Sequence, residues 1–224
     1  MHHRTSDLPD AYNVAVPKAE GRPTKADSET VMTPESVLDL FRKRGALLEG
    51  HFILSSGLHS TGYLQSALIL QHPADAEQLG AALGAKVREA GHVVDVVLSP
   101  ALGGLIIGHE VARALGVRAI FAERQDGTLT LRRGFRLEPG ERVLVVEDVV
   151  TTGKSTLETA AVAEAAGATV VAASSIINRG GGDGMQLPYV SLADARFPTF
   201  AADAVPAHLK DVPATKPGSR PGPK

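Results

Sequence analysis

The chain has 224 residues, enough for one substantial domain with its own core. Lys and Arg number 23 against 25 Asp and Glu, a formal charge of −2, so composition asks for neither nucleic acid nor an anionic membrane as partner. Cysteine is absent, which excludes disulfides, thiolate metal sites and cysteine catalysis, and no apolar run approaches a membrane span.

Residues 1–32 are rich in Asp, Pro, Lys and Thr, with no period that would bury a face and no apolar core of a signal peptide. They read as a flexible tail on a cytoplasmic protein, and His2 and His3 within them lack the further ligands a metal needs. A domain is expected over 33–205. Its first helix runs from Pro34 to Arg44, with Thr33 as cap and Val37, Leu38, Leu40 and Phe41 on one side. Gly50 to Gln65 offers a turn at Ser55-Ser56-Gly57 between two strands. Ala74 to Ala90 is a helix stopped by Gly91, and Val93 to Leu98 a short strand. Helix and strand follow at Gly104–Leu115 and Val117–Ala122. The pattern repeats with a strand at Val143–Val146, a helix at Ser155–Ala166 and a strand at Thr169–Ile177. Such alternation predicts an α/β fold, a mostly parallel sheet flanked by helices. From Pro206 the chain is Pro- and Lys-rich and reads as a second flexible tail, 206–224. In parallel sheets ligands collect beyond the carboxyl ends of the strands, so the loops at 99–104, 123–136, 147–155 and 178–184 should surround one crevice.

Those loops carry the chemistry. Ser99-Pro100-Ala101-Leu102-Gly103-Gly104 joins a strand to a helix, where small residues either let amides approach an anion or serve only packing. Arg124-Gln125-Asp126-Gly127 can turn the chain, and Leu129–Leu137 alternates apolar and basic residues through Arg132, Arg133 and Arg136. That segment is either a surface hairpin with solvated arginines or a flap bringing positive charge over a polyphosphate. The strand Val143–Val146 runs into Glu147-Asp148-Val149-Val150-Thr151-Thr152-Gly153-Lys154-Ser155. Gly-Lys-Ser suggests a nucleotide-binding P-loop, but that motif needs glycine where this chain has Asp148. A carboxylate there would repel a triphosphate. Acids beside an amide-rich turn suit a ligand with a phosphate at one end and hydroxyls or magnesium at the other, as in a ribose 5-phosphate. Asn178-Arg179-Gly180-Gly181-Gly182 ends a strand at the crevice, where an arginine can meet a carboxylate with two parallel N–H groups.

The 143–156 segment resembles the phosphoribosyl-pyrophosphate (PRPP) binding motif of the type I phosphoribosyltransferases. The 51–65 segment, with Phe52, Leu54, Ser56-Gly57 and Tyr63, is similar to the N-terminal segment of orotate phosphoribosyltransferases, and the resemblance covers Pro34 to Ala193. It implies a small N-terminal hood on the sheet, and PRPP held by Arg124 and by Glu147, Asp148, Val149, Val150, Thr151, Thr152, Gly153, Lys154 and Ser155. Ala101, Leu102, Gly103 and Gly104 would bind pyrophosphate, and Thr151 and Arg179 orotate. The implied reaction joins orotate to PRPP, giving orotidine 5′-phosphate and pyrophosphate in UMP synthesis. It would use Mg2+ held mainly by substrate, with no direct protein metal site, in a homodimer. Many family members carry lysine at the positions of Ser55, Gly103 and Gln125 and in the flap, and this chain has none of them. Asp148, Arg124, Arg132 and Arg133 are therefore the catalytic candidates, with Lys154 a weaker one. Transfer to another base and a non-catalytic PRPP-sensing regulator are the competing readings.

Overall fold

The computed structural model describes residues 32–54 and 56–217. The expected 1–32 tail (Met32 aside), Ser55 and the end of the C-terminal tail lie outside the described residues. Helix α1 (Pro34–Lys43) starts where its signals place it, the Thr33 hydroxyl accepting the Ser36 amide at 3.2 Å. Strands β1 (Leu47–Ile53) and β2 (His59–Leu64) form an antiparallel hairpin, the expected hood. Then come α2 (Ala67–Leu70), α3 (Pro73–Glu89), β3 (Val96–Pro100), α4 (Gly104–Leu115), β4 (Arg118–Gln125) and β5 (Thr128–Leu131). The chain continues through β6 (Arg142–Val150), α5 (Lys154–Ala165), β7 (Thr169–Asn178), β8 (Tyr189–Asp194), β9 (Thr199–Phe200) and α6 (Ala207–Lys210).

The main sheet has the order β5-β4-β3-β6-β7-β8, parallel except for the antiparallel edge strand β5. Side chains of β6 alternate between two cores. Leu144 and Val146 join α1, α3 and α4 on one face, while Val143 and Val145 join α5 on the other. Helix α4 sits unusually close to the sheet: a Cβ on Gly108 would meet Ser99 Oγ, and one on Gly104 would lie 2.8 Å from the Val146 carbonyl. Gly104 therefore serves packing.

Two parts of the sequence reading need correction. Strand β6 does not stop at Val146. Val149 and Val150 are β-branched and pair with Ile177 and Asn178 of β7, so the strand carries both acids within it. Nor is the chain untethered from 206. Leu209 of α6 is buried, the Ile53 amide donates to the Thr215 carbonyl at 2.8 Å, and the Thr215 amide donates to His51 at 2.9 Å. The hood thus gains a parallel bridge from Thr215 to Phe52 and the strand β9 beside β2, both from distant sequence. Prolines in a segment do not prevent docking when a neighbouring strand edge is open.

Candidate active site

Strand β3 has β4 on one side and β6 on the other, so the chain leaving β3 and the chain leaving β6 turn in opposite directions. A cleft opens at such a switch point. Here it measures about 650 Å³ and is lined by Gln65, Ala67 and Leu70 beside the hood, by Ala101, Leu102, Gly103 and Ile106, and by Glu123, Arg124 and Asp148. Of the regions expected to share a site, residues 101–103, Arg124 and Asp148 meet here, while Gly104, Arg132, Arg133, Thr151 and Arg179 are not in this lining. The peptide bond between Ala101 and Leu102 is cis.

The acid pair is split by the strand that carries it. Asp148 follows Leu144 and Val146 in facing the α3–α4 layer, and its carboxylate lies against Gly103, where an added Cβ would sit 2.6 Å from Oδ1. A lysine at 103 would have to displace that carboxylate, which gives the missing family lysine a local reason. Glu147 faces α5, is 6% exposed, and accepts a hydrogen bond from Ser155 Oγ at 2.5 Å. Burial pushes the Glu147 carboxyl up to about 7; the neighbouring charge of Asp148 adds to the rise and the Ser155 hydroxyl opposes it. Burial also raises Asp148, which is half-buried in the cleft wall. Of the two acids, only Asp148 lines the cleft.

Beyond β6, Thr151 and Thr152 are exposed, and Gly153 takes a φ of +74° at the start of α5, a left-handed turn that favours glycine. The Lys154 amide donates to Thr152 Oγ1 at 3.4 Å. The 178–184 loop packs directly on this turn. A Cβ on Gly181 would lie 2.6 Å from the Gly153 nitrogen and 2.7 Å from the Thr151 carbonyl. Asn178 organises the loop: its Oδ1 accepts the amides of Gly180 and Gly182 at 2.9 and 3.0 Å, and its Nδ2 donates to Asp183. Sequence reasoning assigned Asn178 no role, although an Asn opening a glycine run is a recognisable turn signal. Arg179 is anchored by its amide to the Val150 carbonyl at 2.8 Å. Its Nε is buried with no hydrogen-bond partner among the described residues, and burial pushes its pKa down.

The arginines differ. Arg124 pairs through Nη2 with Glu158 Oε2 at 2.5 Å and donates through Nη1 to the Gly127 carbonyl at 2.7 Å. The Lys154 ammonium lies 3.8 Å from the other oxygen of Glu158. Arg133, at φ +57°, makes a two-point pair with Glu123 at 2.9 and 2.7 Å and lies over the Phe121 ring. Its hydrogen bonds, with its charge, hold the Glu123 carboxyl below its ordinary range. Phe135 packs edge-on against Phe121, with centroids 5.0 Å apart. The ladder of the hairpin ends at Leu131, and the following turn is docked by Phe135 and Arg133. Arg132 is exposed and has no ion pair among the described residues. The two adjacent arginines thus differ: Arg133 is paired with Glu123, and Arg132 makes no ion pair among the described residues.

Among the described residues no group of three or more His, Cys, Asp or Glu is placed to hold a metal ion, and no helix is long and apolar enough to cross a membrane.

The phosphoribosyl transferase domain family matches residues 66–192, more than half of the chain. An orotate phosphoribosyltransferase of Erythrobacter litoralis is 55% identical over 191 residues, covering 84% of this chain and 99% of that protein. One of Novosphingobium aromaticivorans is 51% identical over 191 residues, covering 84% and 98%. Among solved structures, the orotate phosphoribosyltransferase of Aeropyrum pernix superposes with a TM-score of 0.56 at 28% identity, covering 70% of this chain and 93% of that one.

Proposed function

The chain belongs to the orotate phosphoribosyltransferase family, and on that premise we propose how its cleft transfers a ribose 5-phosphate from PRPP to orotate. The observation that carries the proposal is the convergence of Asp148, Arg124 and the 101–103 loop on one cleft at the switch point. Amides of Thr151 to Ser155 at the start of α5 hold the 5′-phosphate, where helix dipole and free N–H groups favour an anion. Asp148 holds ribose hydroxyls. Glu147 steadies the turn through Ser155. The 101–103 backbone and Arg124 hold the pyrophosphate.

A ring nitrogen of orotate bonds to the anomeric carbon as the carbon–oxygen bond to pyrophosphate breaks; pyrophosphate leaves with the electron pair, and the ring's N–H proton passes to the departing pyrophosphate or to water. The transition state has oxocarbenium character, so the protein acts mainly by alignment and fixed positive charge. Arg124 turns from Glu158 toward the leaving group, and Arg132 adds a second charge. Arg133, bound to Glu123, shapes the turn rather than touching substrate. Arg179 and Thr151 hold orotate, the guanidinium meeting its carboxylate.

Mg2+ fits this arrangement. Asp148 offers one hard oxygen donor in the cleft, which matches an ion bound mainly through substrate oxygens. When bound, the ion neutralises pyrophosphate charge. A cytoplasmic homodimer belongs to the same proposal. Leu102 and Ile106 at the cleft rim are 83% and 46% exposed, apolar surface that a partner subunit would cover.

The test is orotate consumption by purified protein, followed by ultraviolet absorbance, with PRPP, magnesium and each omission. Loss of signal needing all three components is expected. No loss with active PRPP binding would overturn the orotate assignment and point to another base or a sensing role.

A further inference from the structure

We propose that Phe197 is a positioning residue for Arg179, and that Gly62 in the hood exists to admit it; this rests on Arg179 being the orotate-carboxylate ligand. The Arg179 guanidinium carbon lies 5.4 Å from the centre of the Phe197 ring, within reach of a cation–π contact. The arginine's buried Nε has no polar partner among the described residues. A long, partly buried cation with no acceptor at Nε would otherwise sample several rotamers, and the ring face restricts it without consuming a donor.

The ring has a fitted slot, and the segment that carries it is tied down on both sides. A Cβ on Gly62 would collide with the Phe197 ring, so β2 leaves an open slot that the ring fills. The Ala195 amide donates to the Asn178 carbonyl at 2.9 Å, tying the segment to the end of β7 one residue from Arg179. Arg196 pairs with Asp183 at 2.7 Å, and Asp183 is itself bonded by Asn178. Beyond Phe197, the Ser60–Thr199 and His59–Phe200 pairs close the hood sheet. The 195–200 segment therefore joins the hood to the loop that carries Arg179. The chemical consequence is specificity. A guanidinium already stacked and desolvated favours a planar base bearing a carboxylate over one that lacks it, because less ordering is needed on binding.

Phe197→Leu keeps apolar volume and removes the aromatic face, while Phe197→Tyr keeps the face. KM for orotate should rise about two- to thirtyfold in the leucine variant, the range of one cation–π contact. KM for PRPP and kcat should stay within about twofold, and tyrosine should restore wild-type values. Gly62→Ala should mimic the leucine variant by expelling the ring. Arg179→Ala, measured in parallel, separates the two claims. If Arg179→Ala leaves orotate KM unchanged, the base-site reading fails and this proposal with it. If Arg179→Ala raises it but Phe197→Leu does not, or raises both substrates' KM equally, the positioning role alone is wrong. Should Gly62→Ala fold poorly, the leucine–tyrosine comparison decides by itself.

Discussion

Replacing Glu147 with glutamine should make the protein more stable at alkaline pH and leave it unchanged near pH 4.5. Glu147 is buried behind the sheet, and its carboxyl is pushed to about 7 from an ordinary 4.5. The folded state therefore binds a proton that the unfolded chain has released between those values, and stability falls as pH rises through that window. Below pH 4.5 both states are protonated and the charge costs nothing. Above pH 7 the whole penalty is present. A tenfold change in proton affinity is worth about 1.4 kcal/mol, so the gap amounts to about 3 kcal/mol at most. Glutamine has nearly the same shape and can still accept the Ser155 hydroxyl, which isolates the charge. For a domain of this size about 3 kcal/mol corresponds to a Tm difference of roughly 6–12 °C at pH 8.5. Thermal melts of wild type and Glu147→Gln at half-unit steps from pH 4.5 to 8.5 measure it. Curves offset by a constant amount, or a variant less stable at pH 8.5, would refute burial as the cause of the raised pKa.

Arg132→Ala should lower kcat about 100-fold or more with Tm unchanged, because in the proposed mechanism its charge serves the leaving pyrophosphate while the side chain makes no ion pair among the described residues. Arg133→Ala should instead lower Tm slightly through loss of the solvent-screened Glu123 pair, with a smaller fall in kcat; the opposite ranking in paired kinetics and melts would exchange their roles. Gly181→Ala sets a Cβ against backbone atoms of Gly153 and Thr151 that cannot yield, so PRPP affinity measured by titration calorimetry should weaken about tenfold or more, and unchanged affinity would separate the two loops. Deleting residues 206–224 should cost about 3 kcal/mol by removing the buried Leu209 side chain and baring the edge of β1, seen as a lower midpoint in urea. An unchanged midpoint would restore the view of that segment as an idle tail.

Much of the candidate site's framework was legible because its signals are local. Thr33-Pro34 marks a helix start, the Val143–Val146 run marks a buried strand, and a glycine turn into a helix N-terminus follows that strand. The alternation of strands and helices was enough to foresee a parallel sheet and the end of it where ligands gather. What the sequence could not express is direction and distance. Glu147 and Asp148 are neighbours in the chain and face opposite layers, because a strand alternates its side chains and nothing in the letters said that β6 would continue past them. Arg132 and Arg133 are the same residue type side by side, yet Glu123 claims only one of them. Gly62 meets Phe197, and Thr215 meets Phe52, across more than a hundred residues. Local propensity and periodicity follow from the chain's own backbone, so sequence determines them. Which face a side chain takes, which acid pairs with which arginine, and what fills a glycine's empty place depend on long-range packing, and only the folded chain decides them.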